Sequence, residues 1–259
     1  MEGALGLSPS AFYPRRLASN ARGELLKSLI AMCKLVPGQP APVLVFDLDG
    51  TLLDNRPRVA QIFRELADTW RDRHPREAQA LAAVASDDIV YGIKENLARL
   101  GVVDPTLVDE ACGFWKDRFF TDEYLRYDTE TPGARPFVRA CYDAGATVVY
   151  LTGRDLPNMA LGTFASLRDL GFPIGVVGTS LVTKPAFDIP DADFKHEVAP
   201  SLVRHGNVVA TFDNEPANCN LFLKHLPAAR CVFLDTHHAP DPPALDPRAV
   251  VLDSFAPHG

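Results

Sequence analysis

Val43-Leu44-Val45-Phe46-Asp47-Leu48-Asp49-Gly50-Thr51-Leu52-Leu53-Asp54 sets two carboxylates, two residues apart, directly behind a short unbroken apolar run. A run that is apolar on both faces, with β-branched Val43 and Val45, reads as a strand buried inside a parallel sheet. In open α/β sheets the carboxyl ends of the strands form the edge where ligands bind, so Asp47 and Asp49 fall where chemistry is expected. One aspartate would suffice to cap a turn. A calcium loop would need glycine at the position of Leu52 and a further acidic ligand, which excludes it.

Similar apolar runs recur at Thr147–Leu151, Ile174–Val177, Val208–Phe212 and Cys231–Leu234, with a weaker one at Ala249–Leu252. Helical periods lie between them at Arg135–Ala144, Asn158–Leu170, Asp193–Arg204 and Glu215–His225. Strand and helix alternating at this spacing predict right-handed βαβ units and a doubly wound, mostly parallel, Rossmann-like α/β sheet. The rhythm breaks once. From Asn55 to Thr131 no strand-like run occurs, and helical stretches fall near Val59–Arg73, Glu77–Val84, Ile89–Leu100 and Thr106–Phe119.

The expected organisation is therefore an N-terminal arm and helix over 1–42, an α/β core over 43–54 and 132–259, and an all-helical insertion over 55–131. Residues 1–20 show no period and read as a loosely held arm, and the Leu25, Leu26, Leu29, Ile30, Cys33 spacing predicts a helix over Ala21–Lys34. Trp70, Phe114, Trp115 and Phe119 fall on helical periods and are expected to form the core of the insertion.

The chain has 259 residues with 26 basic and 33 acidic side chains, a net charge of −7. That balance lacks the basic stripe of a nucleic-acid surface and any strongly basic membrane-binding helix. No run approaches the roughly 18 apolar residues that span a bilayer. Five widely spaced cysteines without a Cys-x-x-Cys pair argue for reduced thiols and a cytoplasmic protein. His237-His238 in the Pro-rich 237–247 stretch reads as solvent-exposed, and Cys219 as a small packing residue.

Two later segments join the first. Thr152-Gly153-Arg154 ends the Thr147 strand, and Phe212-Asp213-Asn214-Glu215 ends the Val208 strand. Together with Asp47-x-Asp49-Gly50-Thr51-Leu52, these motifs resemble the haloacid dehalogenase superfamily of phosphohydrolases over roughly Val43–Leu234. The 55–131 insertion stands at that family's first cap site. The resemblance implies a phosphatase acting on a small phosphate ester, with Asp47 as nucleophile and Asp49 as acid and base. It also implies Mg²⁺ bound by Asp47, Asp213 and the main-chain carbonyl of Asp49.

Physical chemistry supports the same roles. A carboxylate attacking a phosphate meets like-charge repulsion, which a divalent cation and a lysine neutralise. Hard oxygen donors suit Mg²⁺ better than zinc. Thr152 can donate to a phosphate oxygen, Gly153 allows close backbone approach, and Arg154 either contacts substrate or supports the loop. Lys195 and Lys184 compete for the neutralising role. Lys195 is expected to open the helix that leads into the Val208 strand, which points it towards Asp47. A lysine starting that helix matches the family pattern and favours it, whereas Lys184 is expected in the preceding loop. Glu215 and Asn218 are both candidates to bind through water or to orient Asp213.

An acid at position 49 favours hydrolysis or transfer of a phosphoryl group over the family's other chemistries. A phosphotransferase or mutase, a nucleic-acid end phosphatase and a non-catalytic module on the same scaffold are the competing readings. The insertion, with 10 basic and 15 acidic residues between Arg58 and Thr131, is a candidate lid over the site.

Overall fold

The computed structural model describes residues 16–256. In chain order the elements are α1 (Ser19–Met32), β1 (Pro42–Phe46), β2 (Leu53–Asp54), α2 (Arg56–Trp70), α3 (Pro75–Ala83), α4 (Ile93–Arg99) and α5 (Pro105–Phe119). Then follow β3 (Thr129–Glu130), α6 (Ala134–Asp143), β4 (Thr147–Asp155), α7 (Leu156–Asp169), β5 (Thr179–Lys184) and α8 (Asp191–Val198). The chain ends in β6 (Asn207–Asp213), α9 (Pro216–His225), β7 (Arg230–Leu234) and β8 (Val250–Leu252).

Six strands form one sheet in the order β5-β4-β1-β6-β7-β8, with every neighbouring pair parallel. The order runs outward from β1 in one direction through β4 and β5, then in the other through β6, β7 and β8. The switch point, where such sheets bind ligands, is therefore the carboxyl end of β1. Alternation along β1 explains why it is buried throughout. Leu44 and Phe46 enter one layer, where Phe46 stacks on Phe212 at 4.5 Å between ring centroids. Val43 and Val45 enter the opposite layer with Phe194 and Leu202.

The structure corrects several expectations. Ile174–Val177 is not a strand: Gly175 and Gly178 take positive φ there, and Val177 is 94% exposed. The strand is β5, whose half-buried Thr-Ser-Leu-Val-Thr-Lys sequence hides it, because a sheet edge does not need an apolar run. Lys184 accordingly ends a strand rather than lying in a loop. The Asp193–Arg204 helix is α8 from Asp191 to Val198 followed by a 3-10 turn over Ala199–His205. Pro200 lacks the N–H that an α-helix would need there.

The 55–131 stretch is also not free of strands, since β3 lies within it and pairs antiparallel with β2 just before it, Leu53 with Glu130 and Asp54 with Thr129. Finally, the arm expected over residues 1–20 lies outside the described residues up to 15, but from there on it is held. Leu17 N donates to Val251 O at 3.1 Å, α1 starts at Ser19, and Arg22 pairs with Asp253. The apolar face of α1, Leu25, Leu26 and Leu29, packs into the β1 layer.

Helices α2 to α5 surround their own cluster of Phe63, Leu66, Trp70, Leu81 and Leu97. Trp70 is fully buried and its indole N–H donates to Glu110 Oε1 at 2.8 Å. No helix among the described residues is long and apolar enough to cross a membrane, and all five cysteines are unpaired. Truncating the largest side chain of the α2–α5 cluster, Trp70→Ala, is expected to lower stability by about 3–5 kcal/mol, read as a lower urea midpoint.

Candidate active site

Asp47 follows the last residue of β1, and its N–H donates to Phe212 O at 2.9 Å, continuing the ladder to β6. Because Phe46 pairs with Phe212, Asp47 and Asp213 are lateral neighbours on the same rim. Lys195, in the second turn of α8 rather than at its start as expected, supplies the third member. Its Nζ donates to Asp47 Oδ1 at 2.7 Å and to Asp213 Oδ2 at 2.8 Å. All three side chains are buried.

Burial pushes the Asp47 carboxyl up to about 7, Asp213 adding to the rise and Lys195 opposing it. Burial alone would lower the lysine, but the two carboxylates outweigh it and hold Lys195 above its ordinary pKa. Two carboxylates and one ammonium leave one net buried negative charge.

Lys184 turns elsewhere. Its Nζ donates to Ile189 O and Asp191 Oδ1 at 2.8 Å and to Phe187 O at 3.3 Å, fastening the 185–191 loop. Asp213 Oδ1 accepts from Glu215 N at 2.9 Å and Asn218 Nδ2 at 3.0 Å. Asn218 thus orients Asp213, while the Glu215 carboxylate accepts from Ala239 N at 2.9 Å. Gly50 has φ +77°, and a Cβ there would sit 2.3 Å from Asn214 Nδ2. Thr152 is buried on β4 at the same rim, its hydroxyl accepting from Arg154 N at 3.2 Å. Gly153 has Asp191 against it, 2.1 Å from where a Cβ would stand.

Asp49 points away from this trio. Its carboxylate accepts from Arg154 Nε and Nη2 at 2.7 and 2.9 Å, from Arg58 Nη2 at 2.9 Å and from Asn55 Nδ2 at 3.1 Å. Asp128 accepts from the same two arginines, with Oδ2 at 2.6 Å from Arg58 and 2.7 Å from Arg154. Burial would raise Asp49, but Arg154 and Arg58 outweigh it and hold its carboxyl well below the usual range. Arg154 therefore grips Asp49 and Asp128 in this conformation.

Arg58 and Asp128 were not among the residues singled out from the sequence. Arg58 had a readable signal: with Ile62 and Leu66 it lies on the buried stripe of α2, where an arginine needs a partner. Asp128, just before β3, had none.

A cavity of about 800 Å³ opens over the rim, lined by Asp47, Thr152, Gly153, Lys195 and Asn218. Trp115 and Phe119 line it too. Phe114 and Phe119 pack against the α2–α5 cluster as expected, whereas Trp115 faces the cavity instead. His237 is half-buried at its edge instead of exposed.

The family model for haloacid dehalogenase-like hydrolases matches residues 42–235. The chain belongs to this family. Among solved structures, the hydrolase is similar to a candidate phosphatase from Clostridium difficile. The two are 12% identical, with 81% of this chain and 93% of that one covered and a TM-score of 0.52. A predicted phosphatase from Clostridium acetobutylicum is 13% identical, with 83% and 95% covered and a TM-score of 0.48. At such identity the first likeness carries the fold alone. No curated protein matches the chain.

Among the described residues of this hydrolase, no three His, Cys, Asp or Glu side chains are placed to hold a metal. Mg²⁺ commonly takes one or two carboxylates and keeps several waters. Asp47 and Asp213, joined through one nitrogen and carrying one uncompensated negative charge, fit that need.

Asp47 also makes a pH prediction for the metal-free protein. A folded pKa near 7 lies above the ordinary 3.8, so this group favours folding at low pH and that contribution is lost as pH rises to the folded value. Asp47→Asn in chelator should therefore gain Tm over wild type, with a gap that widens from about pH 4 to about pH 7 and is flat beyond. Thermal melts across that range check it, and a gap independent of pH contradicts it.

Proposed function

We propose that this haloacid dehalogenase-like hydrolase is a Mg²⁺-dependent phosphomonoesterase that works through an aspartyl-phosphate on Asp47. The substrate is a small phosphorylated metabolite. The observation that carries the reading is the buried Asp47–Lys195–Asp213 trio at the switch point of the sheet. Lys195 engages Oδ1 of Asp47, which leaves Oδ2 as the oxygen that attacks phosphorus. The P–O bond to the leaving group breaks as the Asp47–P bond forms, and water later attacks the acyl-phosphate to release inorganic phosphate.

Mg²⁺ held by Asp47, Asp213 and the main-chain carbonyl of Asp49 would counter the phosphate charge during attack. Lys195 neutralises the equatorial oxygens from the protein side. Thr152 offers its hydroxyl to one of them, with Gly153 keeping the backbone open. Asn218 fixes the direction of Asp213.

Asp49 protonates the leaving oxygen and then activates water. For that it must exchange its contacts with Arg58 and Arg154. Arg58 rides on α2, so release of Asp49 is tied to displacement of the 55–131 segment, which serves as the cap. Arg154 acts on Asp49 in this scheme rather than on substrate. Free thiols accord with a cytoplasmic setting.

Asp47→Asn is expected to lose Mg²⁺-dependent phosphate release from p-nitrophenyl phosphate, by at least about 10³-fold, with its circular dichroism unchanged. Wild-type turnover in that variant would remove Asp47 as nucleophile. In the same assay Lys195→Ala should fall by at least about 10²-fold, whereas Lys184→Ala, which loosens only the 185–191 loop, should fall far less. The reverse order would transfer the role to Lys184.

A further inference from the structure

We infer that the cavity selects a monoester whose leaving group is a neutral, flat aromatic moiety, and not a sugar bisphosphate or another doubly anionic ester. The inference rests on the phosphomonoesterase reading and narrows its substrate class.

The wall facing the carboxylate rim is aromatic. Trp115 packs against Phe119 and Phe120 with ring centroids 4.8 and 5.4 Å apart, and Phe120 against Phe187 at 5.1 Å. Three of these rings come from the end of α5 and the fourth from the 185–191 loop, so two distant segments build one surface over Asp47. Tyr91 and Phe187 line the same cavity and remain 52% and 40% exposed. Large rings left in water around a cleft mark a surface that a ligand covers, and aromatic faces favour a flat ring in offset or edge contact.

The charges lining the cavity point the same way. Its four cationic side chains are Arg56, Arg154, Lys184 and Lys195. Arg56 forms a bidentate pair with Asp54, Arg154 is gripped by Asp49 and Asp128, and Lys184 and Lys195 have the partners described above. Asp188, Asp191 and Glu215 add negative charge to the lining.

One phosphate can be met by Lys195 and a metal ion. In this conformation a second anionic group in the cavity would be desolvated beside cations that already hold carboxylates, since Lys116, whose Nζ lies 5.6 Å from the Phe187 ring, is exposed outside the lining. A polyhydroxyl chain would leave hydroxyls unpaired against rings. The volume, about 800 Å³, accommodates a fused bicyclic ring together with the phosphate.

The test uses primary-alcohol phosphates, so that leaving-group acidity is matched. kcat/KM with Mg²⁺ for 2-(2-naphthyl)ethyl phosphate should exceed that for n-butyl phosphate and for a hexose bisphosphate by at least about tenfold. Trp115→Ala and, in the exposed loop, Phe187→Ala should each shrink that ratio several-fold. A bisphosphate turned over best, or a ratio unmoved in both variants, overturns the inference and leaves the phosphomonoesterase reading standing.

Binding of 3-(2-naphthyl)propylphosphonate against pentylphosphonate, by calorimetry on the wild-type protein, separates the two readings if nothing turns over. A naphthyl preference of about tenfold that is lost in Phe187→Ala supports the aromatic site while the phosphatase reading falls. Equal affinities overturn the aromatic site as well.

Discussion

Three charges buried on one sheet rim, Lys195 between Asp47 and Asp213, constrain everything around them. Taking such ions out of water costs several kcal/mol each unless they are paired in good geometry, and here a single nitrogen serves both carboxylates. The geometry follows from the fold. β1 and β6 are parallel neighbours, so residues just past Phe46 and at the end of β6 stand side by side. α8 leads towards β6 from the same rim and delivers the lysine. With both carboxylates ionised, the remaining negative charge is one that a bound cation would neutralise.

A second buried group ties the helical segment to that rim. Arg58 and Asp128 come from the 55–131 stretch, Asp49 and Arg154 from the sheet, and the four balance as two cations and two anions. The guanidinium of Arg58 also lies 4.3 Å over the Phe119 ring and donates to Phe119 O at 3.1 Å. The same side chain therefore touches the proposed acid, Asp128 just before β3 and the aromatic wall. Networks of this kind couple their members, which gives a physical route by which displacement of α2 would change what Asp49 can do.

The positions of the chemistry were legible one strand at a time. A run such as Val43–Phe46 must be buried on both faces, and an acid ending it must stand at the sheet's carboxyl edge, so Asp47, Asp49, Thr152 and Asp213 could be placed before any packing was known. Elements whose burial is shared rather than complete were harder. β5 is an edge strand whose side chains are nearly all only partly buried, and the nearby Ile174–Val177 run lost to two glycines that turn the chain. The β2–β3 ribbon is too short to carry a period.

Sequence alone determined the α/β alternation, the acidic rim and the interruption after β1, because each depends on local periodicity and on the direction of a strand. Only the tertiary structure shows which lysine meets Asp47, since both can approach the rim: Lys195 contacts it, whereas Lys184 is held by Ile189 O and Asp191. It likewise decided that Trp115 and Phe119 face the cavity and that Asp49 is bound to Arg58 and Arg154. Those outcomes are contacts between residues up to 148 positions apart, and helical spacing says which face a side chain lies on but not what that face meets.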